Sequence, residues 1–84
     1  MIEDELRAIV AEVAEIQPDS IDLSGTLADA GVDSLMAMEI SVDVERRYGL
    51  SFSVEELKRI TTFGSLVELT RARLAEREAA SNEP

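Results

Sequence analysis

The segment GVDSLMAMEI, residues 31–40, contains a helix start followed by an apolar repeat. Its Asp-Ser pair suits a helix N-terminus, because both side chains accept hydrogen bonds from backbone N–H groups that have no partner in the first turn. Apolar residues then recur at intervals of four and end at a glycine, a common helix stop: Met36, Ile40, Val44, Tyr48 and Gly49. The segment therefore predicts a helix from Ser34 to Tyr48.

The N-terminal part of the chain predicts another helix and a long loop. Apolar residues at steps of three and four favour an amphipathic helix over residues 2–16, and Pro18 ends it. Residues 17–33 mix turn formers with isolated apolar residues. We therefore expect an ordered loop that is pinned to the core and contains one helical turn near residues 27–30.

The C-terminal half predicts two further helices. Ser53 and Glu56 have the spacing of a capping box, so a short helix is expected over residues 54–60. Thr62 is placed to begin the last helix. The side chains expected to face the core in this half are Phe52, Leu57, Ile60, Phe63, Leu66, Leu69 and Leu74.

Together these segments predict an all-α protein, a small four-helix bundle with a long loop between helices 1 and 2 and a short third helix. A chain of 84 residues suits one domain, expected over residues 1–78, and the apolar-poor residues 79–84 predict a disordered tail. No apolar run approaches the ~20 residues of a membrane span, and the acidic N-terminus is unlike a signal peptide. We expect a cytoplasmic monomer that does not enter a membrane.

The chain contains no cysteine and no histidine. It therefore forms no disulfide, has no zinc-finger ligand set, and offers Ser34 no histidine that could activate it as a nucleophile. The Asp-rich loop before Ser34 lacks the ligand rhythm of a calcium site, and scattered acids are more often solvated helix faces than metal ligands. We predict neither an enzyme nor a metal site, so Ser34 stays inert until another protein acts on it.

The net charge of −10 argues against nucleic-acid binding, which needs clustered basic residues. Residues 1–42 hold ten acidic residues against Arg7 alone, so the negative field is concentrated in the half that contains Ser34 and favours basic partners. A second apolar row on the same helix could be an exposed partner surface or part of a wide buried face, and periodicity leaves both open. This row is Leu35, Met38 and Val42.

The residues around Ser34 resemble the phosphopantetheine attachment segment of acyl carrier proteins. The core pattern of that family is Gly, any residue, Asp, Ser, Leu, and here it is Gly31, Val32, Asp33, Ser34 and Leu35. The amphipathic first helix, the long loop, the total length and the segment RRYGLSFSVEELKRITTFGSLVEL also look like this family. The resemblance implies that a phosphopantetheinyl transferase attaches a phosphopantetheine arm, donated by coenzyme A, to the hydroxyl of Ser34.

The same resemblance implies how such a carrier works. Acyl groups would travel as thioesters on the thiol of the arm, and the carrier would present them to an acyltransferase, a ketosynthase and other enzymes with basic surfaces without catalysing a reaction itself. Between visits the acyl chain would slip among the helices, near positions such as Ile40, Val44, Phe52, Ile60 and Leu69. The partner face implied on the second helix is Leu35, Met38, Glu39, Val42 and Glu45.

Differences within the segment favour one pathway. Carriers of bacterial fatty-acid synthesis have acidic residues just after the Ser-Leu pair, whereas this chain has Met36 there and Arg46 with Arg47 near the helix end. Peptidyl carriers usually have a Gly-Gly pair before the serine, which AGVDS lacks. The chain therefore looks more like a polyketide carrier. The alternative from another class is an acidic helical interaction module in which Ser34 is only a helix cap.

Overall fold

The computed structural model describes residues 1–81, which form four helices and one 3-10 turn. These elements are α1 (Ile2–Ala14), the 3-10 turn (Pro18–Ser20), α2 (Ser34–Tyr48), α3 (Val54–Arg59) and α4 (Phe63–Ser81). Within this range no strand forms, and the β-type contact is an isolated bridge between Thr26 and Thr62. The predicted all-α fold with four helices and a short third helix is confirmed.

The helix boundaries follow the capping residues. α2 begins and ends where the sequence predicts, and Gly49 closes it with a φ of 66° while its N–H donates to the carbonyl of Glu45. α1 ends before the predicted residue 16, because Glu15 takes a left-handed conformation with a φ of 57°. α3 ends at Arg59, just before the predicted residue 60.

The loop and the chain end differ from the predictions in detail. Pro18 does not merely stop a helix, since it begins the 3-10 turn, a position that suits its fixed φ and missing N–H. α4 continues to Ser81, past the domain boundary predicted at residue 78. The disorder predicted for residues 79–84 falls in part on residues 82–84, which lie outside the described residues, so that boundary stays a prediction.

The hydrophobic core lies between α1, α2, α4 and the long loop. Its buried apolar side chains are Leu6, Val10, Ala11, Ile21, Leu27, Val32, Ile40, Val44, Phe52, Phe63, Leu66 and Val67. α3 contributes no buried residue. The prediction that Leu57 points into the core is therefore wrong: its side chain is 37% exposed, because α3 lies at the edge of the bundle.

The long loop is pinned to the start of α4 by backbone hydrogen bonds. The N–H of Leu27 donates to the carbonyl of Thr61 at 3.0 Å, and the N–H of Phe63 donates to Gly25 at 3.2 Å. The N–H of Gly64 donates to the carbonyl of Leu23 at 2.8 Å. A Cβ at residue 64 would lie 2.7 Å from that oxygen, so glycine is required for this close approach. These contacts fix the loop that leads into α2.

A polar contact ties the C-terminal end of α2 to α1. The hydroxyl of Tyr48 donates to Oε1 of Glu5 at 2.5 Å, and Nε of Arg47 lies 3.6 Å from the same oxygen. The hydrogen bond from Tyr48 and the charge of Arg47 lower the pKa of Glu5. Burial and then the Glu5 contact raise the pKa of Tyr48 to about 12.

We expect this contact to make unfolding depend on pH at both ends of the scale. The folded pKa of Glu5 lies below its ordinary value of 4.5, so its stabilisation is present above pH 4.5 and is lost as the pH falls through the lowered value. The folded pKa of Tyr48 lies above 10.0, so its stabilisation is full below pH 10 and is lost as the pH rises through about 12.

Denaturant unfolding followed by circular dichroism from pH 3 to 12 measures both effects. Glu5→Gln is expected to reduce the loss of stability at acidic pH, and Tyr48→Phe is expected to reduce the loss at alkaline pH. Glu12, which is exposed on the same helix, provides a matched control as Glu12→Gln. If Glu5→Gln and Glu12→Gln change the stability at acidic pH equally, the assignment of this effect to Glu5 is contradicted.

Candidate functional site

Asp33, not Ser34, caps α2. Oδ1 of Asp33 accepts a hydrogen bond from the N–H of Met36 at 2.8 Å, and the backbone of Asp33 is extended, as an N-cap requires. Ser34 is the first helical residue and is exposed. Among residues 1–81 its hydroxyl has no hydrogen-bond partner, so the fold does not use this group.

The turn before the cap fixes where Ser34 lies. Gly31 has a φ of 91°, a left-handed value that side-chain-bearing residues rarely adopt, which explains a glycine here. Val32 is buried in the core directly afterwards. The chain is therefore anchored two residues before Ser34, and the hydroxyl is held at the surface on a defined backbone.

The partner face predicted on α2 is divided by burial. Leu35 is 73% exposed and Met38 is 65% exposed, and Glu39 is also exposed. Val42 is half-buried, so the apolar row is not a uniform surface. Glu45 is half-buried as well, and its Oε2 accepts a hydrogen bond from the N–H of Phe52 at 2.7 Å. Glu45 therefore has a structural contact that the sequence did not predict.

An apolar groove of about 400 Å³ opens beside Ser34, and we call it the α2–α3 groove. Its lining residues are Leu27, Ser34, Ala37, Met38, Ile40, Ser41, Val54, Leu57, Lys58, Ile60 and Leu66. Of the positions named for an acyl chain, Ile40 and Ile60 line this groove, whereas Val44, Phe52 and Leu69 do not. Sequence reasoning missed Val54 and Lys58, because a helix of six residues has too few turns to reveal an exposed face.

Polar contacts hold α3 beside the groove. Ser53 and Glu56 form the predicted capping box, in which the N–H of Glu56 donates to Ser53 Oγ at 3.1 Å and the N–H of Ser53 donates to Glu56 Oε1 at 2.9 Å. Nη1 of Arg73, on α4, donates to the same Oε1 at 2.7 Å and to the carbonyl of Ser51 at 2.9 Å. The hydrogen bond from the Ser53 backbone, followed by the contact with Arg73, lowers the pKa of Glu56.

Arg73→Gln is expected to loosen α3 and leave the rest of the bundle in place. Because no side chain of α3 is fully buried, the loss of the Arg73 contacts should speed amide hydrogen exchange in residues 54–59 more than in α1. Exchange followed by mass spectrometry on peptides measures the difference. Arg71, which is exposed on the same helix, gives the control variant Arg71→Gln. Equal exchange of α3 in the two variants would contradict a holding role for Arg73.

Two site classes receive no support from the described part of the chain. Residues 1–81 contain no group of three or more Asp or Glu side chains placed to hold a metal ion. In the same range no helix has the length and apolar character needed to cross a bilayer.

The family model and the relatives that match this chain agree on one family. Residues 4–70, which include Ser34, match the family model described as a phosphopantetheine attachment site. Non-reducing polyketide synthase azaA from Aspergillus niger is 39% identical over 69 residues, covering 82% of this chain and 3% of that protein. Non-reducing polyketide synthase pkiA from Emericella nidulans is 39% identical over 71 residues, covering 84% and 3%. Non-reducing polyketide synthase pigA from Monascus ruber is 33% identical over 82 residues, covering 98% and 3%.

The chain belongs to the phosphopantetheine-attachment family. The predicted resemblance to acyl carriers of the polyketide type is confirmed, and so is phosphopantetheine as the covalent cofactor. The chain spans about 3% of the length of these curated relatives, which are much larger synthases. An exposed, unengaged hydroxyl at the mouth of an apolar groove fits a long flexible arm joined through a phosphate.

Proposed function

We propose that this domain is a carrier of polyketide intermediates and that Ser34 is its attachment residue. The observation that supports this most directly is the exposed Ser34 hydroxyl, free of internal hydrogen bonds among residues 1–81 and lying within the matched range 4–70. The hydroxyls of Ser41 and Ser65 are engaged, since Ser41 donates to the carbonyl of Ala37 at 2.9 Å and Ser65 to that of Thr62 at 2.7 Å. Ser24 and Ser51 are exposed and, among residues 1–81, have no side-chain hydrogen bond. Ser34 differs from Ser24 and Ser51 because it stands in the GVDSL pattern and lines the α2–α3 groove, so we propose its hydroxyl as the one that is modified.

Attachment forms a bond between Ser34 Oγ and the phosphorus of the arm, and it breaks the phosphoanhydride bond of coenzyme A, so the nucleotide part leaves. The chain has no histidine to take the hydroxyl proton, so a phosphopantetheinyl transferase must supply the base and the magnesium ion. Asp33 keeps the helix start in place, because its carboxylate is already bonded to the N–H of Met36. Once attached, the arm supplies a thiol that carries acyl groups as thioesters.

The domain itself catalyses no reaction in this proposal, and its work is presentation. An intermediate tethered to Ser34 reaches successive enzymes at a high effective concentration and does not diffuse away. The partners would be the transferase, an acyltransferase, a ketosynthase and other domains with basic surfaces, which suit the acidic N-terminal half. The residues proposed for partner contact are Leu35, Met38, Glu39, Val42 and Glu45.

The polyketide assignment rests on the relatives and on α2. Three relatives at 33–39% identity are named as non-reducing polyketide synthases. α2 has no acidic residue in its first turn and has Arg46 and Arg47 in its last, unlike the acidic helix expected of a fatty-acid carrier.

The 84 residues need no disulfide, which supports a cytoplasmic location. We propose that the isolated domain is a monomer.

Intact mass spectrometry tests the attachment. The domain is incubated with coenzyme A, magnesium and a broad-specificity phosphopantetheinyl transferase, and the expected result is the addition of one phosphopantetheine per chain. Peptide mapping should place the addition on Ser34. No addition would contradict the carrier function, and addition at another serine would contradict the site.

A further inference from the structure

The segment that joins α2 to α3 lies against α4 and is held there by two arginines. Nη1 of Arg73 donates to the carbonyl of Ser51 at 2.9 Å. Nη1 of Arg77, one turn further along α4, donates to the carbonyls of Tyr48 at 2.6 Å and Gly49 at 3.3 Å. Two guanidinium groups therefore lie beside this segment, although the chain as a whole carries a net charge of −10.

The two arginines and the segment surround one open depression of about 460 Å³, which we call the arginine depression. Its lining residues are Gly49, Leu50, Ser51, Arg73, Glu76 and Arg77. Its carboxylate, Glu76, is 73% exposed and its Oε2 lies 3.6 Å from Nε of Arg73, so this surface pair is weak. The arginine depression therefore favours an anionic group.

A serine hydroxyl that the fold does not use lines the arginine depression. Ser51 is exposed, lies outside the helices and has no side-chain hydrogen bond among residues 1–81. Ser53, two residues later, is different, because its Oγ accepts a hydrogen bond from the N–H of Glu56 at 3.1 Å and so caps α3. A group added to the Ser51 hydroxyl would break no contact of the bundle.

We propose that Ser51 is a phosphorylation site and that Arg73 and Arg77 bind the phosphate. A serine kinase transfers the terminal phosphoryl group of ATP: Oγ of Ser51 bonds to the γ-phosphorus, the bond from that phosphorus to the β–γ bridging oxygen breaks, and ADP leaves. The hydroxyl proton passes to a base of the kinase. The product carries about −1.5 to −2 charges at pH 7 and three acceptor oxygens, which suit guanidinium donors.

The charges that flank Ser51 in the sequence differ on its two sides. Arg46 and Arg47 lie five and four residues before it and are exposed at the end of α2. Glu55 and Glu56 lie four and five residues after it. Kinases select serines in part by the charges around them, so this pattern favours a kinase with acidic groups that bind the basic side.

The phosphate would compete with α3 for one of the arginines. Nη1 of Arg73 also donates to Oε1 of Glu56 at 2.7 Å, and this contact links α3 to α4. A phosphate on Ser51 carries more charge than that carboxylate, so it draws Arg73 away from Glu56. The N–H of Ser53 still donates to Glu56, so α3 stays capped while its link to α4 weakens. Because α3 lines the groove beside Ser34, the modification also alters that groove.

Mass spectrometry tests the modification. The domain is incubated with magnesium, ATP and a recombinant serine kinase that prefers arginine before its target, and we expect one phosphate per chain, mapped to Ser51. Ser51→Ala should keep its helix content by circular dichroism, because the side chain is exposed and has no hydrogen bond among residues 1–81, and should receive no phosphate. No addition, or addition at another residue, would overturn the site.

A phosphorus NMR titration tests the role of the arginines. Phosphoserine is incorporated during synthesis at residue 51 and, in a matched control, at residue 24. Ser24 is also exposed, but its depression is lined by one arginine and two glutamates. The phosphate at residue 51 should titrate about half a pH unit lower than the control, because two cations stabilise its dianion. Arg73→Gln combined with Arg77→Gln should remove the difference, and equal titration of the two unsubstituted chains would overturn the phosphate contact.

Amide hydrogen exchange tests the competition for Arg73. Phosphoserine at residue 51 should speed exchange in residues 54–59 about threefold, the effect expected for loss of a surface ion pair. In the Arg73→Gln chain the phosphate should change exchange no further, since the contact with Glu56 is already absent. Unchanged exchange in the chain that keeps Arg73 would overturn the competition. These readouts do not depend on loading of Ser34, so failure of loading would contradict the carrier function alone.

Discussion

Ser34→Ala is expected to abolish the addition of phosphopantetheine and to leave the helices in place. The loss should be complete, because the hydroxyl oxygen is the atom that would join the phosphate. The fold should persist, since the helix cap is Asp33 and the Ser34 side chain has no hydrogen bond among the described residues. Alanine is also the best helix former, so the first turn of α2 loses nothing.

Two neighbouring variants separate attachment from capping. Asp33→Ala removes the hydrogen bond to Met36 and should lower the free energy of unfolding by about 1 kcal/mol, the typical worth of an N-cap. Ser41→Ala, which removes a half-buried serine hydroxyl in the groove, should still be loaded. Intact mass measures the loading of each variant, and unfolding followed by circular dichroism measures its stability on the same samples. Loading of Ser34→Ala, or loss of its helix signal, would contradict the assignment.

Ile40→Ala is expected to destabilise the fold strongly, whereas Met38→Ala should leave it nearly unchanged. Ile40 is 2% exposed and belongs to the core, so its truncation should cost about 2 to 5 kcal/mol. Met38 lies two residues earlier on the same helix and is exposed, so its truncation should cost less than about 0.5 kcal/mol. Domains of this size have about 5 to 15 kcal/mol in total, so the Ile40 effect is a large share.

Urea unfolding gives the stability of both variants, and acyl transfer from the loaded domain gives their activity. Met38→Ala is expected to slow transfer at normal stability, while Ile40→Ala should lose stability. Equal destabilisation by the two substitutions would show that Met38 contributes to the core, and the partner surface would then exclude it. Normal transfer by a stable Met38→Ala would likewise remove it from that surface.

Local sequence determined α2 and the position of Ser34 within it. A capping residue, apolar residues at intervals of four and a glycine stop all act over a few residues, so the helix bounds Ser34–Tyr48 are readable from the sequence. The capping box at Ser53 and Glu56 was readable for the same reason. The GVDSL pattern likewise indicated the family that residues 4–70 match.

Periodicity could not divide the two apolar rows of α2 into buried and exposed residues. Both rows have helical spacing, and the sequence alone does not say how much of the helix circumference its neighbours cover. In the structure Leu35 and Met38 are exposed while Val42 is half-buried, because α1 and the core lie against only part of the helix. The burial of the row formed by Leu35, Met38 and Val42 therefore increases along the helix.

The tertiary structure alone decided the surroundings of Ser34. Arg73 reaches Glu56 across 17 residues of sequence and Ser51 across 22, and the groove brings Lys58 and Val54 of α3 beside α2. These contacts depend on how helices pack, and the packing results from the whole core. The sequence by itself thus determined the order of the four helices, the place of Ser34 at the start of α2 and the family. The position of α3 and the groove beside the serine exist only once the bundle has assembled.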